Sequence, residues 1–147
     1  MLDERGHAEG HELYGPYAQD HLPVTEQSEA VGHAVRAVYL YAAVADLARE
    51  QNDAGYLETC ERVWNHLMQK RFYVTGGLGV AAKNEGFTTD YDLPDDSAYA
   101  ETCASIGLVF WAQRMLNITG DSKYADAMER ALGGHLLRLN CPLNLIH

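Results

Sequence analysis

The sequence predicts an all-α fold: helical hairpins in series, of the kind that close into an α/α toroid. Three observations carry this. The segment Tyr56-Leu-Glu-Thr-Cys-Glu-Arg-Val-Trp64 matches Tyr124-Ala-Asp-Ala-Met-Glu-Arg-Ala-Leu132 at a fixed offset. The apolar segments preceding each copy align at the same offset, Leu47 with Met115 and Ala48 with Leu116. Each unit then reads as a mostly apolar helix, a short Asn/Gly/Asp turn and an amphipathic helix. Stacked hairpins of this kind bury their inner helices against neighbours.

The elements follow in order. Residues 1–25 lack periodicity and read as an extended arm. His7, His11, His21 and His33 fall in or near it; irregular spacing leaves both loop histidines and a metal-binding arm open. Thr25 is placed to cap a first helix running to about Arg49, apolar at Ala30, Val31, Ala34, Val35, Val38, Leu40, Tyr41, Val44, Ala45 and Leu47. Such a wide stripe means burial. Asn52-Asp53 breaks and caps the chain, and a second helix follows over about Ala54–Gln69. Arg71–Thr75 is β-prone and opens a long, partly β loop over about 71–96. A third helix, capped by Asp95 or Asp96, begins within Ser97–Cys103 and runs to about Leu116. After the turn NITGD a fourth runs from about Ser122 to Leu137. The 147 residues are enough for a single domain with a core. Residues 133–147 form an atypical tail.

Composition excludes several partners. The net charge is −10 with no Lys/Arg cluster, whereas nucleic acids and anionic membranes require a basic footprint. No apolar run approaches the roughly 18–20 residues of a membrane span. The charged start MLDERGHAEG lacks a signal-peptide core, so the expected location is cytoplasmic. The three cysteines, Cys60, Cys103 and Cys141, do not make a disulfide framework. Cys60 reads as a small buried hydrophobe.

Candidate chemistry concentrates in Gly76–Cys103, GGLGVAAKNEGFTTDYDLPDDSAYAETC. Glu85, between Asn84 and Gly86, has freedom to reach a ligand or simply to sit in solvent. With Glu101 it forms a candidate pair, since glycoside cleavage uses two carboxyls flanking one bond. Glu101 and Cys103 offer a hard oxygen and a thiol. In a regular helix positions i and i+2 point about 200° apart, so one metal reaches both only where the backbone is not yet helical. Zinc accepts these donors and takes four. At the repeat offset His33 aligns with Glu101; both fall near inner-helix starts, either facing one rim of a pocket or simply satisfying helix-start backbone groups. Asp90, Asp92, Asp95 and Asp96, interleaved with Phe87, Tyr91 and Tyr99, suit either solvated turns and ordinary packing or sugar binding.

HLPVTEQSEAVGHAVRAVYLYAAVADLA (His21–Ala48), YVTGGLG (Tyr73–Gly79), NEGF (Asn84–Phe87), YDLPDDSAYAETCAS (Tyr91–Ser105) and KYADAMERAL (Lys123–Leu132) resemble the catalytic domain of β-L-arabinofuranosidases of glycoside hydrolase family 127. The resemblance covers about residues 10–132. It implies an (α/α)6 barrel in the complete domain and a retaining hydrolase with a zinc-bound cysteine nucleophile. It implies that Glu85 is the general acid/base, that Glu101 and Cys103 are two of four zinc ligands, and that His33 contacts the arabinofuranose. The family's nucleophile lies in a later pair of adjacent cysteines, which this sequence lacks; Cys141 stands alone in NCPLNLIH. The expectation is a middle slice of the barrel, acting on or binding a carbohydrate. A slice exposes inner-helix surface, so a homo-oligomer is expected. Two other readings stay open: a small oligomeric enzyme of different activity, such as an esterase, and a non-catalytic carbohydrate- or metal-binding module.

Overall fold

A computed structural model describes residues 14–136, with the side chains of residues 135 and 136 left aside. The helices are α1 (Ala34–Gln51), α2 (Ala54–Lys70), α3 (Thr102–Thr119) and α4 (Ser122–Arg130), the last continuing as a π-helical turn, Ala131–Leu136. The repeat holds in the backbone at the helix starts and at the turns between them. Asn52 and Gly120 end α1 and α3 in left-handed caps at φ 52° and 71°. Asp53 and Asp121 then cap α2 and α4 with their side chains. Asp53 Oδ1 accepts from Gly55 N at 2.8 Å and Tyr56 N at 3.2 Å, satisfying amides that the helix itself leaves unpaired.

The inner helices α1 and α3 lie side by side. Arg114 Nε donates to Asp46 Oδ2, repeat-equivalent positions that are 68 residues apart in sequence. Gly107 permits the approach, because a Cβ there would meet Val38 Cγ2 at 2.5 Å. Behind them α2 and α4 supply Trp64 and Tyr124, which pack with Trp111 of α3 and Tyr41 of α1 in a chain of ring contacts at 4.7–5.1 Å. All four rings are at most 1% exposed. Cys60 is fully buried beside Tyr41, and burial pushes its thiol up to about 12, so it is an inert core residue.

Several sequence expectations are corrected. The first helix begins at Ala34 and Thr25 does not cap it. Gly32 takes φ +70° and packs its α-carbon against the backbone of Pro16 and Tyr17, which a helix through residue 32 would forbid. The described part of the arm is not extended: Gly15–Ala18 and Val24–Glu26 are 3-10 turns. Buried Gln27 holds them, donating to Gln19 O and Leu22 O at 2.8 and 2.9 Å and accepting from Tyr41 Oη at 2.7 Å. The loop after α2 contains isolated bridges and no strand among the described residues: Phe72 with Leu78, Ala81 with Gly86, and Gly86 with His33. Asp95 and Asp96 stay exposed in the loop, and Glu101 is the N-cap residue of α3. Of the predicted tail, residues 133–136 continue the α4 helix as the π-helical turn. His7, His11, Cys141 and residues 137–147 lie outside the described residues.

Candidate active site

The N-termini of α1 and α3 meet at one loop. Glu85 O accepts from Ala34 N at 3.0 Å, closing the first turn of α1. Gly86 pairs with His33 on one side and Ala81 on the other. At the loop's other end Gly79 O and Val80 O accept from Ala100 N and Tyr99 N at 2.9 and 3.2 Å, immediately before α3. The segment 79–86 therefore ties both inner-helix starts together. Their partial positive ends converge there, an environment that favours carboxylates.

This brings together the four residues singled out in the sequence. His33, the N-cap residue of α1, makes no capping bond with its side chain. Its Nε2 lies 3.0 Å from Glu85 Oε2. Glu85 sits in the left-handed region at φ 51°, a conformation that costs a non-glycine residue of order 1 kcal/mol. It keeps a 46% exposed carboxylate, able to meet a ligand. Tyr99 Oη donates to the other oxygen, Glu85 Oε1, at 3.2 Å.

Glu101 and Cys103 meet the condition set by their spacing. Glu101 is extended at φ −65°, ψ 134°, and Cys103 lies in the first turn, so the i and i+2 side chains converge. A hydrogen bond from the Cys103 thiol to the Glu101 carboxylate pushes the thiol up, and the Glu101 and Glu85 charges add to this. The other carboxylate oxygen, Glu101 Oε2, is buried without a partner. An orphaned hard oxygen beside an exposed thiol fits two corners of a zinc site. No group of three or more His, Cys, Asp or Glu side chains with metal-binding geometry occurs among the described residues.

The remaining acids and aromatics divide. Phe87 is core, 6% exposed, and Tyr91 is 70% exposed; Tyr99 alone of the three reaches the site. Asp90 belongs to a structural ion cluster that sequence reasoning missed. Its carboxylate accepts from Lys70 Nζ at 2.7 Å, Arg71 Nη2 at 2.8 Å and His66 Nε2 at 3.1 Å. The Lys70 and Arg71 hydrogen bonds hold its carboxyl down at about 2. His66 Nδ1 accepts from Ala30 N, which leaves the ring proton on Nε2 for Asp90. Also missed was Tyr17, whose ring lies 5.9 Å from that of His33 and carries the Arg36 guanidinium 5.2 Å over its face. Its only sequence signal was an exposed aromatic in an aperiodic arm.

Two helical hairpins whose inner-helix N-termini bring together a carboxylate, a histidine and a carboxylate–thiol pair define an α/α-hairpin protein with a candidate site at one loop. The sequence profile of the GH127 β-L-arabinofuranosidase catalytic domain matches residues 2–139, and the chain belongs to that family. It is 44% identical over 121 residues to a non-reducing end β-L-arabinofuranosidase of Bifidobacterium longum subsp. longum, covering 82% of this chain and 18% of that protein. Among solved structures it resembles a GH127 β-L-arabinofuranosidase from Geobacillus stearothermophilus T6, with a TM-score of 0.83, 46% identity and coverage of 89% of this chain and 23% of that one. A second, a GH127 β-arabinofuranosidase, gives a TM-score of 0.88 at 44% identity, covering 92% of this chain and 21% of the other. The fold is therefore the helical-hairpin architecture of an α/α barrel. The chain spans about a fifth of the length of these relatives. The match runs past Leu132, where the recognised motifs end.

Proposed function

We propose that this chain carries the acid/base part of a β-L-arabinofuranoside-cleaving site, with Glu85 as general acid/base. The observation that supports it is the seating of Glu85: a half-exposed carboxylate on a bonded loop, contacted by His33 at 3.0 Å, beside Glu101 and Cys103. In this reading protonated Glu85 gives its proton to the leaving glycosidic oxygen as the bond breaks. The anomeric carbon passes to a nucleophile that these residues do not supply, and the Glu85 carboxylate then takes a proton from the water that displaces it. His33 orients that carboxylate and lines the place where the sugar ring binds. Glu101 and Cys103 would hold zinc through the buried Oε2 and the thiol. When bound, zinc keeps its sulfur ligands as thiolates at neutral pH. The carbohydrate class follows from family membership and from the names of the relatives.

The test compares an alkyl with a nitrophenyl β-L-arabinofuranoside. Glu85→Gln should lower turnover of the alkyl substrate by roughly 10²–10⁴-fold, because its leaving group needs protonation. It should largely spare the nitrophenyl substrate, whose leaving group does not. Unchanged alkyl turnover in Glu85→Gln sinks the acid/base role. An unmutated chain with neither turnover nor arabinofuranoside binding by saturation-transfer NMR sinks the carbohydrate reading.

A further inference from the structure

The geometry points to Tyr99 as a positioning residue for Glu85. This rests on the acid/base reading above and extends it to a residue outside that scheme. The two oxygens of Glu85 have separate partners: His33 Nε2 at 3.0 Å on Oε2 and Tyr99 Oη at 3.2 Å on Oε1. One comes from the start of α1, the other from the chain entering α3. A carboxylate gripped at both oxygens cannot rotate freely. One gripped at a single oxygen, on a side chain 46% exposed, can swing into solvent.

The backbone shows that the grip is built in. Tyr99 N donates to Val80 O at 3.2 Å and Val80 N to Gly86 O at 2.9 Å, so Tyr99 is tied to the same loop that carries Glu85. Ala100, at φ 38°, turns the chain from that pairing into α3. The Tyr99 hydroxyl also lies within electrostatic reach of Glu101 and Cys103. Its hydroxyl thereby joins the chain entering α3 to the Glu85 carboxylate. Placement is what a proton donor requires, since small displacements of a reacting group forfeit much of its effect. Tyr99 acts through Glu85 and transfers no proton itself.

The experiment uses the chain labelled with 13Cζ-tyrosine. The resonance absent from Tyr99→Phe identifies Tyr99. Glu85→Gln should shift that resonance, because the acceptor changes from a carboxylate to an amide. Glu50→Gln, on an exposed side chain remote from the site, should not. In parallel, Tyr99→Phe should lower kcat on the alkyl β-L-arabinofuranoside about tenfold, a fraction of the full acid contribution. KM and turnover of the nitrophenyl substrate should stay near the unmutated values. A melting temperature within a degree or two of the parent, on the order expected when a surface residue is changed, shows that the fold persists. A Tyr99 resonance indifferent to Glu85→Gln overturns the inference. So does unchanged alkyl kcat in Tyr99→Phe when Glu85→Gln abolishes it. If Glu85→Gln itself costs nothing, the acid/base reading falls instead. If the parent cleaves neither substrate, the grip on Glu85 stands or falls on the tyrosine shift.

Discussion

Glu85 and Gly86 show how tightly single residues set this site. Glu85 takes a left-handed φ of 51° so that its carbonyl can close α1 while its side chain turns to His33. Gly86 lies against the backbone of Gly32, where a Cβ would meet Gly32 O at 2.6 Å. That neighbour is main chain in its own left-handed turn and cannot give way. Gly86→Ala should therefore cost about 1–3 kcal/mol, the usual range for forced overpacking. It should also move Glu85 off His33. Urea denaturation reads the first effect; a fall in alkyl-arabinofuranoside turnover exceeding that on the nitrophenyl substrate reads the second.

Among the elements, the loop between α2 and α3 depends most on charge. Asp90 anchors it to the end of α2 through Lys70, Arg71 and His66, while Arg71 Nη1 also donates to Ala30 O at 2.6 Å. The folded Asp90 carboxyl lies at about 2, below its ordinary 3.8. Its contribution to stability is therefore present above pH 4 and lost as pH falls from about 4 to 2. His66 is held below its ordinary 6.5 by burial first and Arg71 second, so its protonation opposes folding as pH drops below that value. Thermal melts should show a steep acid limb between pH 4 and 2. Asp90→Asn should lower the melting temperature at pH 7 and flatten that limb; an unchanged limb would show that the anchor contributes little.

For the molecule as a whole, the α1–α3 pair has an unshared side. Tyr39 and Phe110 meet edge to face there, 6.1 Å apart, and remain 44% and 42% exposed. Self-association is a prediction, with this exposed pair as the surface it would use. Light scattering over a concentration series should give a mass above that of one chain, and Tyr39→Lys with Phe110→Lys should bring it down. A monomer at all concentrations rejects this. No helix among the described residues is long and apolar enough to cross a membrane.

By itself the sequence determined the helices, their pairing into repeats and the four candidate residues that the fold then brings to one loop. Those are local or periodic signals: apolar spacing, Asn52-Asp53 and Gly120-Asp121 turns, and motifs with fixed neighbours. It misplaced the cap of α1 by eight residues, Thr25 instead of His33, because the break at Gly32 is imposed by contact with Pro16 and Tyr17, distant in sequence. It left Asp90 among the solvated acids because Lys70, Arg71 and His66 reach it only after the loop folds back on α2. Tyr99 looked like any aromatic beside an acidic run. Only the tertiary structure decided that its hydroxyl meets Glu85, because that contact is made by two segments brought together where parallel inner helices begin.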